Sequence, residues 1–308
     1  MANTYAIGID IGGTNTDIGL VRSDGNCLAR TNLPTQSFHS IDAYVDALAE
    51  EIRKLLSDKK ITEIEGVGIG APNGNYYTGT IDYAPNLPFK GRLFLQEMLA
   101  NRLNVKVVLT NDANAAAFGE KVYGGARDLS DFILITLGTG VGSGIFVNGQ
   151  MVYGHDGFAG ELGHATLYPD GRLCSCGRKG CLEQYASARG IVQTYKLICQ
   201  ETGLEPAEVT CRDLTRMADN GDEVARETWR RTARCLGIAL SNAVCFSSPQ
   251  AIFLMGGPVK AGHWLLDPLQ EFFEEALLPI YKGKTKILRS RLPENDAAVL
   301  GAAALVYE

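Results

Sequence analysis

TYAIGIDIGGTNTDIGLVRSDGNCLARTN, residues 4–32, and DFILITLGTGVGSGIFVNGQMVYG, residues 131–154, follow one plan. In each, an apolar run meets a glycine turn, a second run returns, and a short turn starts a third strand. Gly12–Gly13 turn the first stretch, and SDGN opens its last strand. In the second, the glycines begin at Gly138, and the Asn148–Gly149 pair opens the last strand. Two copies of one meander predict an internal duplication, with each half of the chain beginning on the same unit.

Helical patterns fill the intervals. SIDAYVDALAEEIRKLLSD, residues 40–58, places Tyr44, Val45, Leu48, Ile52 and Leu55 on one face behind a Ser40 cap. NDANAAAFGEKVYGG, 111–125, opens on cap residues and runs into alanines. A long helix over 221–248 stops before Pro249, QAIFLMGG at 250–257 reads as a buried strand, and DAAVLGAAALVYE, 296–308, closes the chain as an apolar helix. Strands alternating with helices make the class α/β. A chain of 308 residues suggests two domains. We place the first at 1–118 and the second at 119–291, with the helix at about 292–308 returning to the first.

Composition removes several classes. Apolar residues are 45% and charged residues 21% of the chain, ordinary for a soluble globular protein. The net charge of −6 disfavours nucleic acid and anionic membranes as partners. No apolar run reaches membrane-spanning length, and MANTYAIGIDIGG lacks the pattern of a signal peptide. A cytoplasmic, reducing setting is expected, where clustered cysteines point to metal or catalysis. Cys27, Cys199, Cys211, Cys235 and Cys245 stand apart, and most of them read as small buried residues.

The cluster is GHATLYPDGRLCSCGRKGCLE, residues 163–183. His164, Cys174, Cys176 and Cys181 supply an imidazole and three thiols, a full tetrahedral set for zinc. Gly177 and Gly180 let the loop turn tightly enough for the thiols to converge. Four protein ligands leave no open position, so the ion is expected to be structural. A nucleic-acid knuckle is the other use of such a loop, and the flanking carboxylates Glu161 and Glu183 speak against it.

The glycine turns offer anion cradles. Asp10-Ile11-Gly12-Gly13-Thr14-Asn15 ends one strand and Gly138-Thr139-Gly140 ends another, and both present backbone N–H groups beside threonine hydroxyls. Neither carries the ending of a P-loop, and glycines also serve plain hairpins. Asp10 at a strand end suits a magnesium hydration shell or a stabilised turn. In TNDANAAAFGE, 110–120, Asn111 and Asp112 stand where a strand meets a helix, a common ligand position in α/β sheets. Asp112 suits either a base for a hydroxyl proton or a helix cap. Asn86, between prolines in APNLP (84–88), presents one amide from a stiff loop or marks a simple turn.

Taken in order, these motifs resemble the ROK family of bacterial repressors, open reading frames and sugar kinases, along nearly the whole chain. IGIDIGGTNTDIGLV (7–21) looks like the first phosphate motif of the sugar kinase/actin fold, LGTGVGSGI (137–145) like the second, and FLMGGPVKAG (253–262) stands at the adenosine motif. GFAGELGH (157–164) and CSCGRKGCLE (174–183) are similar to the family signature and its zinc motif. The resemblance implies two ribonuclease-H-like domains of actin/hexokinase type flanking a cleft. It implies ATP-dependent phosphorylation of a hexose at its 6-hydroxyl, with magnesium, and glucose as the leading sugar. Asp112 would be the base, with Asn86, Asn111, Glu161, His164 and Glu183 on the sugar. Gly256 and Gly257 would lie near the nucleoside. Homodimers or homotetramers are common among such proteins. N-acetylmannosamine, N-acetylglucosamine, fructose and allose are the alternative sugars. A sugar-responsive regulator is the alternative class, and the chain begins almost directly with its first strand. Two stretches depart from the family pattern. Asn73-Gly74-Asn75 stand where kinases often read PGPVD, and two glycines precede Pro258 where three are usual.

Overall fold

The two meanders grow into two five-stranded sheets with one strand order. The computed structural model describes residues 4–308. The first sheet holds β1 (Tyr5–Ile11), β2 (Asn15–Arg22) and β3 (Cys27–Pro34). Helix α1 (Ile41–Asp58) follows, and β4 (Gly66–Gly70) adds parallel to β1. A small sheet of β5 (Gly74–Asn75), β6 (Thr80–Asp82) and β7 (Arg92–Leu93) precedes α2 (Leu95–Leu103). Strand β8 (Val107–Thr110) completes the first sheet and leads into α3 (Asp112–Val122). The second sheet opens with β9 (Phe132–Leu137), β10 (Val141–Val147) and β11 (Gln150–Met151). Then come α4 (Glu183–Ala186), α5 (Ala188–Glu201), α6 (Cys211–Asp219), α7 (Glu223–Ser247), β12 (Ala251–Met255), α8 (His263–Ala276), β13 (Lys286–Arg289) and α9 (Ala297–Ala304). The orders β3-β2-β1-β4-β8 and β11-β10-β9-β12-β13 coincide, so the duplicated meander extends to the whole sheet.

Alternation along the strands divides each sheet into two unlike faces. Ile7, Ile9, Ile18, Leu20 and Ile69 point to one side, where α1 and α2 bury them. The α1 stripe is as its spacing predicts: Tyr44, Val45, Leu48, Ile52 and Leu55 are buried, and the Ser40 hydroxyl accepts the Ala43 N–H at 3.2 Å. The other face is a trough of glycines. Gly8 lies opposite Gly19 on β2 and Gly68 on β4. A Cβ on Gly8 would collide with the Val299 carbonyl, and one on Gly68 with that of Ala302. Helix α9 therefore rests directly on strand backbone, which its alanines permit.

Helix α3 sits on the second sheet in the same way, with Ala113 over Gly142 and Ala117 over Gly144. The two helices touch each other where Gly301 faces the Ala115 carbonyl at 2.6 Å from an ideal Cβ. The far face of the second sheet packs Ile133, Ile135, Ile252 and Leu254 into a core centred on Trp229 of α7. The boundary expected at residue 118 falls inside α3, which is unbroken to Val122 and touches strands of both sheets. Residues 123–131 join α3 to β9, and residues 290–296 lead from β13 back to α9.

Candidate active site

The parallel strands β1, β4 and β8 deliver their C-terminal ends to one edge of the first sheet, and β9 and β12 do so for the second. Strand ends are where α/β sheets leave backbone groups free for a ligand. Asp10 lies at the end of β1 and Asp112 just after β8. A Cβ built on Gly70 between them would lie 3.5 Å from Asp112 Cα and 3.9 Å from Asp10 Oδ1.

The helix cap belongs to Asn111. Its Oδ1 accepts the Asn114 N–H at 2.7 Å, so its amide nitrogen stays free to donate to a ligand. Asp112 is the first helical residue, and one oxygen takes the Ala113 N–H at 2.8 Å. Solvent reaches Asp112, yet protein encloses it on most sides, and this burial raises its carboxyl above the ordinary range. Asp10 is pushed from 3.8 up to about 7, first by burial, then by the charges of Asp112 and Asp17, with Arg30 opposing. Anions crowded at a strand end in this way form a place for a cation.

The first glycine turn is braced from below. Gly12 N–H reaches the Asn15 carbonyl at 2.9 Å, and the Thr35 hydroxyl donates to the Gly12 carbonyl at 3.0 Å. Thr35 in turn bonds Thr16, which bonds the Tyr44 hydroxyl. Thr14 and Asn15 are exposed at its tip. Asn86 is brought against this turn: a Cβ on Gly13 would lie 2.9 Å from its carbonyl oxygen.

In the second turn, Gly138 N–H closes on the Gly140 carbonyl at 2.9 Å, with Thr139 exposed. Gly256, at a φ of 114°, passes so close to the Leu137 carbonyl that no side chain fits. Gly256 and Gly257 are exposed beside this turn. Glu183, at the start of α4, closes the other flank. Its Oε2 accepts the Val141 N–H at 3.2 Å.

The segment carrying Glu161 and His164 lies along β10, where the Ser143 hydroxyl donates to the Gly160 carbonyl and Gly163 abuts that of Val141. Glu161 is raised by burial; His164 opposes, and the charges of Asp112 and Glu183 add to the rise. These three carboxylates, from three separate segments, therefore share one electrostatic neighbourhood.

His164, whose charge acts on Glu161, also belongs to the thiol cluster. The ligand atoms of His164, Cys174, Cys176 and Cys181 all lie within 4.8 Å of one another. Cys176 Sγ and Cys181 Sγ are 3.6 Å apart, and His164 Nδ1 is 3.7 Å from Cys174 Sγ. Two bonds of about 2.3 Å at the tetrahedral angle would separate sulfurs by about 3.8 Å. The donor set and its spacing thus fit a four-coordinate zinc ion. Gly177 and Gly180, at φ of 87° and 72°, make the turns that bring the thiols together.

The ROK family model matches residues 6–308. This chain belongs to the ROK family. It is similar to a glucokinase of Thermotoga maritima, with 34% identity across 100% of this chain and 99% of that one. Among solved structures, it is similar to a ROK family glucokinase from Streptomyces griseus in complex with glucose and AMPPNP. The TM-score there is 0.79 at 32% identity, with 98% of each chain covered. It also resembles the xylose repressor of Bacillus spizizenii, at 28% identity over 99% of this chain and 77% of the repressor. The two sheets with their shared helices are accordingly the two ribonuclease-H-like halves of the actin/hexokinase-type fold that ROK sugar kinases have. No helix among the described residues is long and apolar enough to cross a membrane.

Asp17 and Arg30, near this ROK site, escape motif reading. Asp17 stands opposite Asp10 across the hairpin, and Arg30 lies 3.5 Å from it. The hairpin register alone would have found Asp17. Asn75, in the departing NGN stretch, reaches the other half, donating to the Asp156 carbonyl at 2.6 Å. The Tyr76 ring stacks on Tyr153 at 4.0 Å, so it packs between the halves. Tyr77 is 59% exposed.

Proposed function

We propose that this protein is an ATP-dependent hexose kinase that forms glucose 6-phosphate from glucose. The observation that carries this reading is the convergence of Asp112, Glu161 and Glu183 from separate segments, between two exposed glycine turns. The similarity to glucokinases along the whole chain supports it. The turns at Gly12–Asn15 and Gly138–Gly140 hold the phosphates through backbone N–H groups, and Gly256–Gly257 border the nucleoside. Glu161, Glu183, His164, Asn86 and the Asn111 amide hold the sugar hydroxyls.

Asp112 accepts the proton of the 6-hydroxyl as that oxygen attacks the γ-phosphorus in line, and ADP leaves. Its burial-raised affinity for a proton favours its use as a base. The N–H groups of the two turns balance charge spreading over the transferring group. Asp10 is the carboxylate that would orient nucleotide-bound magnesium, which supplies charge neutralisation when present. Closure of the halves excludes water and limits idle ATP hydrolysis.

The Cys3His cluster holds zinc as a brace. His164 would be both ligand and sugar contact, and the knuckle holds Glu161 and Glu183 at one geometry. We further propose a cytoplasmic homo-oligomer, in keeping with the family habit. Mixing the protein with ATP and a hexose panel tests the central reading. Hexose-dependent ADP formation supports it; sugar binding without turnover favours a sugar-sensing regulator.

A further inference from the structure

Glu120 lies on α3 eight residues beyond Asp112, about 12 Å along the helix at 1.5 Å per residue. It is fully buried. Its carboxylate faces no lysine or arginine ion-pair partner among the described residues, and instead receives three hydrogen bonds. Oε1 accepts the Gly125 N–H at 2.6 Å and the Arg291 N–H at 3.2 Å, and Oε2 accepts the Ser290 hydroxyl at 2.6 Å. The Ser290 oxygen also accepts the Leu292 N–H at 3.2 Å.

These donors come from two places only. Gly125 lies in the segment by which the chain leaves the first half, and Ser290, Arg291 and Leu292 in the segment by which it returns. One carboxylate therefore joins both crossings. The loop is shaped to it: a Cβ on Gly124 would lie 2.5 Å from Glu120 Cδ. Buried N–H groups stripped of an acceptor are costly, so the crossings stay tied while the carboxylate is present.

We propose that Glu120 is a positioning residue that clasps the two interdomain crossings and sets the hinge about which the halves close. It rests on the kinase reading and adds a residue to it. Helix α3 carries the proposed base at one end and the clasp at the other. Slack at the crossings would reach Asp112 as a shift of α3 on β10, where Ala113 and Ala117 rest over the bare backbone of Gly142 and Gly144. Small misplacements at a reacting centre are expensive in rate. Glu120 touches no substrate.

The test compares Glu120→Gln, Glu120→Ala and Ser290→Ala in the full-length, zinc-loaded protein. Glutamine keeps an accepting oxygen for the two N–H groups and can donate to the Ser290 oxygen, so its kcat should stay within ~3-fold of wild type. Alanine should lower kcat ~10-fold or more and raise the sugar KM, while ATP hydrolysis without sugar rises relative to transfer. Ser290→Ala, which loses one bond, should fall between them and guards against misfolding of the alanine variant. Small-angle scattering with glucose and a non-hydrolysable ATP analogue should show incomplete compaction of Glu120→Ala. The clasp is overturned if Glu120→Ala and Ser290→Ala lower only the melting temperature, with kcat, KM and compaction those of wild type. Wild-type protein that compacts with ligands but turns over no hexose overturns the kinase reading alone.

Discussion

Cys174 Sγ lies 3.9 Å from Glu183 Oε1, while the other oxygen of the same carboxylate takes the Val141 N–H at 3.2 Å. Glu183 thus stands between the thiol cluster and the second glycine turn. The position of Glu183, which we propose faces the sugar, depends on how the thiols are held. A zinc ion held by these thiols would in this sense brace the proposed binding group.

Purified without chelator, the protein should contain about one zinc per chain, the occupancy of a single four-ligand set. Cys176→Ser should lose the metal and raise the sugar KM more than it lowers kcat, because Glu161 and Glu183 lose their bearing. Elemental analysis paired with steady-state kinetics checks this. A zinc-free mutant with an unchanged KM would remove the brace.

Asp112→Asn should lower kcat ~100-fold or more, the scale of a positioned general base. Because Asn111 provides the cap, the melting temperature should hold or rise as a buried charge is removed. Near-normal turnover would assign the base elsewhere.

Stability should depend on Asp10 with a definite sign. Its carboxyl is raised from 3.8 to about 7, so between those values the folded protein holds a proton that the unfolded chain has released. Stability from this group is therefore full below about 3.8, falls as pH rises through the window, and is level above about 7. The slope is at most about 1.4 kcal/mol per pH unit. Denaturant midpoints of wild type and Asp10→Asn in magnesium-free buffer should converge at low pH, with the mutant the more stable above neutrality. Parallel curves would reject the assignment.

Gly8→Ala should destabilise the protein by about 3 kcal/mol, the upper part of the range for overpacking, without touching the site. The new methyl meets the Val299 carbonyl, a backbone atom that cannot rotate aside. Thermal melts read it directly, and an unchanged midpoint would mean that α9 shifts freely on its trough.

Glucose should give the highest kcat/KM among glucose, mannose, fructose, allose, N-acetylglucosamine and N-acetylmannosamine. The proposed pocket is built from carboxylates and amides, which pair with neighbouring hydroxyls and penalise a sugar that leaves them unpaired. Tyr76 is committed to the Tyr153 stack, so it does not furnish a recess for an acetyl methyl group. A ~10-fold advantage for an N-acetylhexosamine, about 1.4 kcal/mol, would change the sugar and keep the chemistry.

The sequence by itself determined the repeated meander, the capped α1 stripe, the clustering of one histidine with three cysteines and the strand-end placement of Asp10, Asn111 and Asp112. Each rests on local chemistry: a period of two or 3.6, a glycine where φ is positive, four soft ligands within one loop. Tertiary structure decided what local patterns leave open. Both Asn111 and Asp112 suit a cap, and only the geometry at the end of β8 gives that task to Asn111 and leaves Asp112 toward the site. Strands of two or three residues in β5–β7 are too short to show a period. The glycines of β1, β2 and β4 form a trough only once register aligns them. Glu120 reads as an ordinary helix residue until Ser290, 170 positions away, is folded against it. Such contacts depend on how two halves dock, and docking is fixed by the packing of whole surfaces, which no short stretch of sequence encodes.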